Sequence, residues 1–308
     1  ILRVRTAYMP ALNTDEFMEG KTVEYVKLAN GVEIPKIGYG VFQISKDDAP
    51  RCVREAIETG YRHIDTAQSY FNEAEVGQGI KDSGIDRKDL FLTTKIWISN
   101  YGYENTLRSV DVSLKKLGTD YLDLVLLHQP FSDTYGAWRA LEKLYKDGVI
   151  RAIGVSNFYP DRLADMVAFN EIAPMVDQVE TNPLNQQIEA RKNMVKRGVA
   201  QEAWAPFGEG MQNMFSNPTL AKIGEVHGKS VAQVILRWLT QRDIVALPKS
   251  THKERMEENL NIFDFRLSDS EMTTIAGLDT KTSMFFRHDT PETVDRFVGY
   301  VKERAGRE

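Results

Sequence analysis

The sequence predicts an α/β fold, a single closed (β/α)8 TIM-type barrel, and three observations carry the prediction. Short apolar runs, many rich in β-branched residues, alternate eight times with amphipathic stretches of helical spacing, the pattern of a parallel sheet whose crossovers are helices. No low-complexity linker or shift in composition interrupts that series, so a length of 308 residues reads as one domain rather than two. Eight parallel strands can also close on themselves and abolish the edges that an open sheet would have to protect.

Residues 1–22, ILRVRTAYMPALNTDEFMEGKT, read as an extension ahead of the fold. Arg3, Arg5, Pro10, Asn13 and Asp15 break up their apolar positions, unlike a secretory signal, and the cationic start also fits an expression tag. The domain then spans 23–308. VEYVKLANGVEIP (23–35) is two alternating runs joined at Asn30-Gly31, which tolerates the positive φ angles of a tight turn, so a β-hairpin comes first and is expected to close the bottom of the barrel. The strand runs are 36–42, 63–65, 90–97, 122–128, 150–158, 175–180, 199–204 and 244–249. Helices are expected over Asp47 to Thr59, Asn72 to Ser83, from Glu104, over Thr134 to Lys146, in DRLADMVAF and in IEARKNMVKRG. Two helical stretches, PTLAKIGEVHG and SVAQVILRWLTQRD, precede the last strand, and extra helices near the C-terminus start near Thr251, near Ser268 and in the tail. The run LDLVLLH (122–128) is nearly continuous in apolar residues, as a strand buried on both faces should be.

Charge and composition exclude several classes of function. The 39 basic and 44 acidic residues give a net charge of -5 with no long run of one sign, which argues against a nucleic-acid stripe or a polybasic membrane patch. Cys52 is the one cysteine, so no internal disulfide forms and a reducing compartment, the cytoplasm, is expected. No apolar run approaches the roughly 20 residues of a membrane span. His63, His227, His252 and His288 have no metal-ligand spacing and are expected to be surface or capping residues; no metal is expected. HGKS (227–230) lacks the full phosphate-loop pattern, and Ser230 reads better as a helix cap. MQNMF (211–215) reads as loop packing.

The chemistry should lie at the C-terminal ends of the strands. GYRHIDTAQSYFNE (60–73) is a strand, a loop and the start of a helix, and it sets Asp65 and Tyr70 five residues apart. A tyrosine donates a proton near neutral pH only with help, because a phenol pKa is normally about 10. Lys95, in TTKIW at the next strand end, is the expected cation, and Asp65 the carboxylate that makes its burial tolerable. Lys95 beside Tyr70 is expected to pull the phenol pKa down, and His128 to add a hydrogen bond to the same substrate oxygen. Taken singly, an aspartate or histidine at a strand end is more often structural than catalytic. A lysine there is also consistent with Schiff-base chemistry on a carbonyl, as in an aldolase.

Together with TTKIW, LLHQP, IRAIGVSNF, EAWAPF and PKSTHKERMEEN, GYRHIDTAQSYFNE closely resembles the aldo-keto reductases over roughly 23–288, in particular their short-looped bacterial diketogluconate reductase-like and prostaglandin F synthase-like members. The resemblance implies a catalytic tetrad of Asp65, Tyr70, Lys95 and His128, and reduction of aldehydes and ketones, small carbonyl compounds or keto-sugars among them. It implies that Ser156, Asn157 and Gln178 bind the nicotinamide carboxamide, that Trp204 stacks on the ring, and that Glu258 and Asn259 lie near the adenine. Lys249, Ser250 and Arg255 suit a ribose 2′-phosphate, a guanidinium fork and an ammonium matching a dianion, so NADPH is expected over NADH. Neither the family nor this chain carries the glycine-rich dinucleotide fingerprint. Phe42, Trp97 and Gln129 are the expected substrate walls, with the Phe285-Phe286 pair of the tail. Gln129 replaces a tryptophan common in the family, and the short PFSDTYG loop after it is expected to leave the pocket open. Asn182 stands where histidine is common, and Ala205 where serine is, which points to weaker cofactor binding. A monomer or weak oligomer is expected. The competing reading is a barrel that binds NADPH as a sensor with little turnover.

Overall fold

A computed structural model describes residues 23–304; the reading of residues 1–22 as an extension lies outside them. The eight apolar runs form one parallel sheet in chain order: β3 (Tyr39–Gly40), β4 (His63–Asp65), β5 (Phe91–Ile96), β6 (Leu122–Leu127), β7 (Ile150–Ser156), β8 (Val176–Glu180), β9 (Ala200–Trp204) and β10 (Val245–Ala246). The sheet curls until its ends meet. Ile37 bridges Ala246 in parallel, the Gly38 amide donates to the Ala246 carbonyl at 2.9 Å, and the Ala246 amide donates to the Lys36 carbonyl at 2.8 Å. The two strands at this seam are much shorter than the runs 36–42 and 244–249. One reason is that Pro248 has no N–H to extend the ladder. Gly38 is required at the seam, because a Cβ there would lie 2.5 Å from the His63 ring.

The hairpin β1 (Tyr25–Lys27) and β2 (Glu33–Pro35) pairs antiparallel, with Tyr25 opposite Pro35. Its turn differs from the expectation in one respect. Gly31 takes a φ of 90°, while Asn30 does not enter the left-handed region and uses its side chain instead. Asn30 Oδ1 accepts from the Val32 amide at 3.1 Å, and Nδ2 donates to the Arg151 carbonyl at 2.8 Å near the start of β7. The hairpin therefore lies across the N-terminal ends of the strands, opposite the expected chemistry.

The crossovers are α1 (Ala49–Thr59), α2 (Glu73–Ser83), α3 (Tyr103–Leu117), α4 (Thr134–Lys146), α5 (Pro160–Phe169), α6 (Ile188–Lys196), α7 (Pro218–His227) and α8 (Val231–Thr240). After β10 come α9 (Lys253–Leu260), α10 (Asp269–Ala276) and α11 (Pro291–Arg304). Ser230 caps α8 in a capping box with Gln233, and Ser268 caps α10 with Glu271, so each satisfies otherwise orphaned amides. The MQNMF stretch is an irregular loop in which Gln212 and Asn213 are left-handed, at φ 54° and 53°, and Met214 is buried. Two histidines expected at the surface are not there. His63 is fully enclosed in the barrel, with Nε2 3.0 Å from Thr93 Oγ1, and His288 is buried among aromatic rings of the tail. His227 bonds Glu271 at 2.8 Å, and His252 is the exposed N-cap of α9.

Candidate active site

Strand alternation aims the functional groups. In β4, His63 and Asp65 share the inward face, and in β5 Thr93 and Lys95 do, because side chains two apart point the same way. Lys95 is fully buried, and its Nζ lies 2.5 Å from Asp65 Oδ1, 2.9 Å from the Thr66 carbonyl and 3.3 Å from Tyr70 Oη. Tyr70 reaches the ammonium from a 3-10 turn, Gln68–Tyr70, which Phe71 ends in the left-handed region at φ 57°. Gln68 pins the turn to the next strand end by accepting from the Trp97 amide at 2.9 Å. His128 follows β6; its Nδ1 lies 3.2 Å from Ser69 Oγ, and its ring meets Tyr70 edge-on at 5.8 Å. All four groups of the expected tetrad are thus gathered at one strand-end mouth.

The electrostatics follow from burial. Burial opposes the Lys95 ammonium, but Asp65 and then Tyr70 hold it above the usual lysine range. Burial pushes the Asp65 carboxyl up while Lys95 pulls it back, and the 2.5 Å contact marks an ammonium–carboxylate pair. A lysine so held is a poor Schiff-base nucleophile, which requires a neutral amine. Tyr70 corrects the expectation: burial raises its pKa above the phenol value by more than Lys95 lowers it. The proton stays on the hydroxyl.

Around this centre, Asn157 sits at φ 64°, where asparagine is among the best tolerated residues, and bonds both ways: Nδ2 donates to the His128 carbonyl at 3.2 Å, and Oδ1 accepts from Trp204 Nε1 at 2.9 Å. The Trp204 ring is thereby fixed in its plane while remaining partly exposed. Ala205, next along, is also left-handed at φ 46°. Ser156 Oγ donates to the Gln178 carbonyl at 2.8 Å, and Gln178 Nε2 turns inward to Asp65 and Glu202. At the seam, Lys249 and Arg255 are exposed and, among the described residues, make no ion pair; they flank the N-terminus of α9, where no side chain caps the helix. Ser250 differs from the expectation, its hydroxyl being turned onto the His252 backbone. Glu258 is half-buried, Asn259 is buried beside Tyr61, and Asn182 is enclosed in a turn of its own, its Oδ1 accepting from the Leu184 and Asn185 amides.

The substrate walls depart most from expectation. Phe42 is 49% exposed and packs 4.9 Å from the Tyr70 ring, but Trp97 is only 5% exposed and Gln129 6%. Gln129 turns its Oε1 towards Asn157 Nδ2 at 3.5 Å. Trp97 lies between His128, at 5.5 Å, and Phe297 of α11, at 5.8 Å. Phe297 also packs on Phe131, Phe286 and His288, so the tail closes the side that the short loop was expected to leave open. Phe285 stands 5.0 Å from Trp204. Sequence reasoning missed Phe297, for which periodicity held no signal. It also missed Glu202, for which a signal existed: in VAQEAW, Glu202 alternates onto the same face as Trp204.

An ion-paired lysine under a buried phenol, at the mouth of a (β/α)8 barrel, is the arrangement of a barrel oxidoreductase. The chain belongs to the Aldo/keto reductase family, whose model matches residues 36–280. It is 50% identical over 256 residues to a glyoxal reductase of Bacillus subtilis, covering 82% of this chain and 92% of that one. Among solved structures, an aldo/keto reductase from Brucella melitensis superposes with a TM-score of 0.81 at 47% identity, covering 84% of this chain and all of that one. A Bombyx mori aldo-keto reductase in complex with NADP does so with a TM-score of 0.83 at 32% identity, covering 87% and 96%. The protein is accordingly an oxidoreductase of this family, and among its described residues no helix is long and apolar enough to cross a membrane.

Proposed function

We propose that this chain reduces small aldehydes and ketones to alcohols, with Tyr70 as the proton donor. The observation that carries the reading is the Lys95 ammonium 3.3 Å from Tyr70 Oη with Asp65 behind it. Bound NADPH supplies the hydride that the carbonyl carbon accepts. Tyr70 gives its proton to the carbonyl oxygen, and Lys95 stabilises the tyrosinate that remains; Asp65 keeps Lys95 charged and in place. His128, steadied by Ser69, orients and polarises the same oxygen.

The residues present fit the cofactor. The fixed, partly exposed Trp204 indole would offer a face to the nicotinamide, with Ser156, Asn157 and Gln178 around the carboxamide. The uncommitted Lys249 and Arg255, with Ser250, suit the 2′-phosphate, and Glu258 and Asn259 lie on the helix that would face the adenine. Phe42, Trp97 and Gln129 bound the carbonyl, with Phe297 covering the outer side. Small dicarbonyl compounds lead the substrates to try, given the glyoxal reductase relative. The lone, buried Cys52 is in keeping with the reducing cytoplasm.

The test is loss of nicotinamide absorbance with glyoxal-type, sugar-diketone, aromatic-aldehyde and quinone panels, comparing NADPH with NADH and wild type with Tyr70→Phe. Equal rates in wild type and Tyr70→Phe would remove the mechanism. Tight NADPH binding without turnover on any carbonyl would replace it with a binding role.

A further inference from the structure

Beneath the tetrad the barrel holds a second buried acid that the chemistry above does not use. Glu202, on β9, is almost wholly enclosed. Its Oε2 accepts from Gln178 Nε2 at 2.8 Å, and the same nitrogen donates to Asp65 Oδ2 at 3.0 Å. Both protons of that amide nitrogen are therefore committed to carboxyl oxygens. An ionised carboxylate only accepts, so Asp65 decides the orientation of the amide, nitrogen inward and carbonyl outward, and Glu202 Oε2 accepts its second proton. Gln178 thus joins the carboxyls of the barrel interior to the face where the cofactor's carboxamide would lie.

Charge counting adds a second constraint. Facing Glu202 are His63 and Asp65 from β4, Lys95 from β5 and Tyr70 from the loop beyond β4; β8 contributes the neutral Gln178, and β10 carries no titratable side chain. Lys95 is the cation of this group, and its Nζ already serves Asp65, Thr66 and Tyr70. His63 Nε2 is 3.8 Å from Glu202 Oε1, but burial first and Lys95 second push that imidazole down to about 3, so it is neutral. Two ionised carboxyls would then leave an uncompensated charge in the enclosed interior. Burial and the nearby Asp65 charge push Glu202 up to about 8, in the same sense.

We propose that Glu202 is a positioning residue: with Asp65 it fixes the Gln178 amide so that its carbonyl faces the cofactor, and it carries a proton in the working enzyme, leaving Lys95 to Asp65 and Tyr70. The inference rests on the NADPH-dependent reading above. Absence of wild-type NADPH turnover with every carbonyl would sink that reading, whereas the role of Glu202 is read on separate signals, NADPH affinity by tryptophan fluorescence and Tm against pH.

Glu202→Gln retains an accepting oxygen and cannot ionise. It should bind NADPH within about twofold of wild type at neutral pH, and its Tm should lack the fall that Glu202, raised in the folded state, brings to the wild type as pH climbs from the unfolded carboxyl value of 4.5 to about 8. Glu202→Leu removes the acceptor and should weaken NADPH binding about tenfold, one lost hydrogen bond's worth of orientation. Wild-type affinity in Glu202→Leu would overturn the positioning role, and a wild-type pH profile in Glu202→Gln would overturn the proton. Should Glu202→Leu fail to fold, Glu202→Asp withdraws the carboxyl from Gln178 and takes its place, with weakened NADPH binding expected and unchanged binding overturning the proposal.

Discussion

At Tyr70 two effects oppose each other, and their balance decides what the residue can do. Burial favours the neutral phenol, Lys95 favours tyrosinate, and burial wins. Carbonyl reduction needs the protonated form, so its rate should show no loss attributable to Tyr70 until the pH passes the ordinary phenol value of about 10. Alcohol oxidation needs tyrosinate and should climb through the same alkaline range. Steady-state profiles in both directions check this, and a fall in reduction centred below about pH 9 would contradict it. Lys95 carries a different expectation, because removing it leaves Asp65 buried without its counter-ion. Lys95→Met should cost about 3–5 kcal/mol in urea unfolding as well as activity. Lys95→Met/Asp65→Asn should recover much of the stability and none of the activity, a separation that a purely structural ion pair would not give.

At the scale of the element, α11 is the unexpected component. Phe297 covers Trp97, and His288 lies buried against Phe286 and Phe297, so the tail is docked through aromatic faces rather than ion pairs. Burial pushes the His288 imidazole down to about 4 from the 6.5 of an unfolded chain. A depressed histidine contributes stability that is complete above the unfolded value and disappears as pH falls from 6.5 towards 4, because the unfolded chain then binds the extra proton. The loss amounts to about 3 kcal/mol at about 1.4 kcal/mol per pH unit. His288→Phe keeps an aromatic ring in the cluster and should unfold with a smaller acid dependence in this window. An unchanged dependence would show that the tail does not dock as described. Phe297→Ala should raise KM for aromatic aldehydes more than for small dicarbonyls, since only the larger substrates reach the wall it removes.

Across the whole molecule, the order of the strands was legible because a buried parallel strand leaves a continuous apolar run and each crossover leaves a helical period. The convergence of Asp65, Lys95 and His128 was legible for a related reason: all three stand at strand ends, where position alone assigns them to one mouth. What the sequence concealed was which distant residue covers which face. Alternation puts Glu202 inward without revealing that Gln178 bridges it to Asp65, and nothing in FVGYVK tells that Phe297 shields Trp97. His63 and His288 were misplaced because a histidine's burial depends on packing partners far along the chain. The proposed cofactor contacts span the same distances, since Ser156, Gln178 and Trp204 lie on β7 to β9 and Lys249 and Arg255 around α9. A ligand that ties these elements together stabilises the barrel by mass action, about 2.7 kcal/mol at a hundredfold excess over Kd. For a chain of this size that corresponds to a Tm rise of about 5 °C. NADPH should produce it, and NADH at equal concentration should produce distinctly less, because only the 2′-phosphate meets Lys249 and Arg255. Arg255→Ala should narrow the gap between the two cofactors with little change in the response to NADH. Raising the ionic strength should narrow it too, since both cations are exposed and screened. Equal thermal shifts from NADPH and NADH in the wild type would remove the phosphate assignment and leave the nicotinamide half of the site standing.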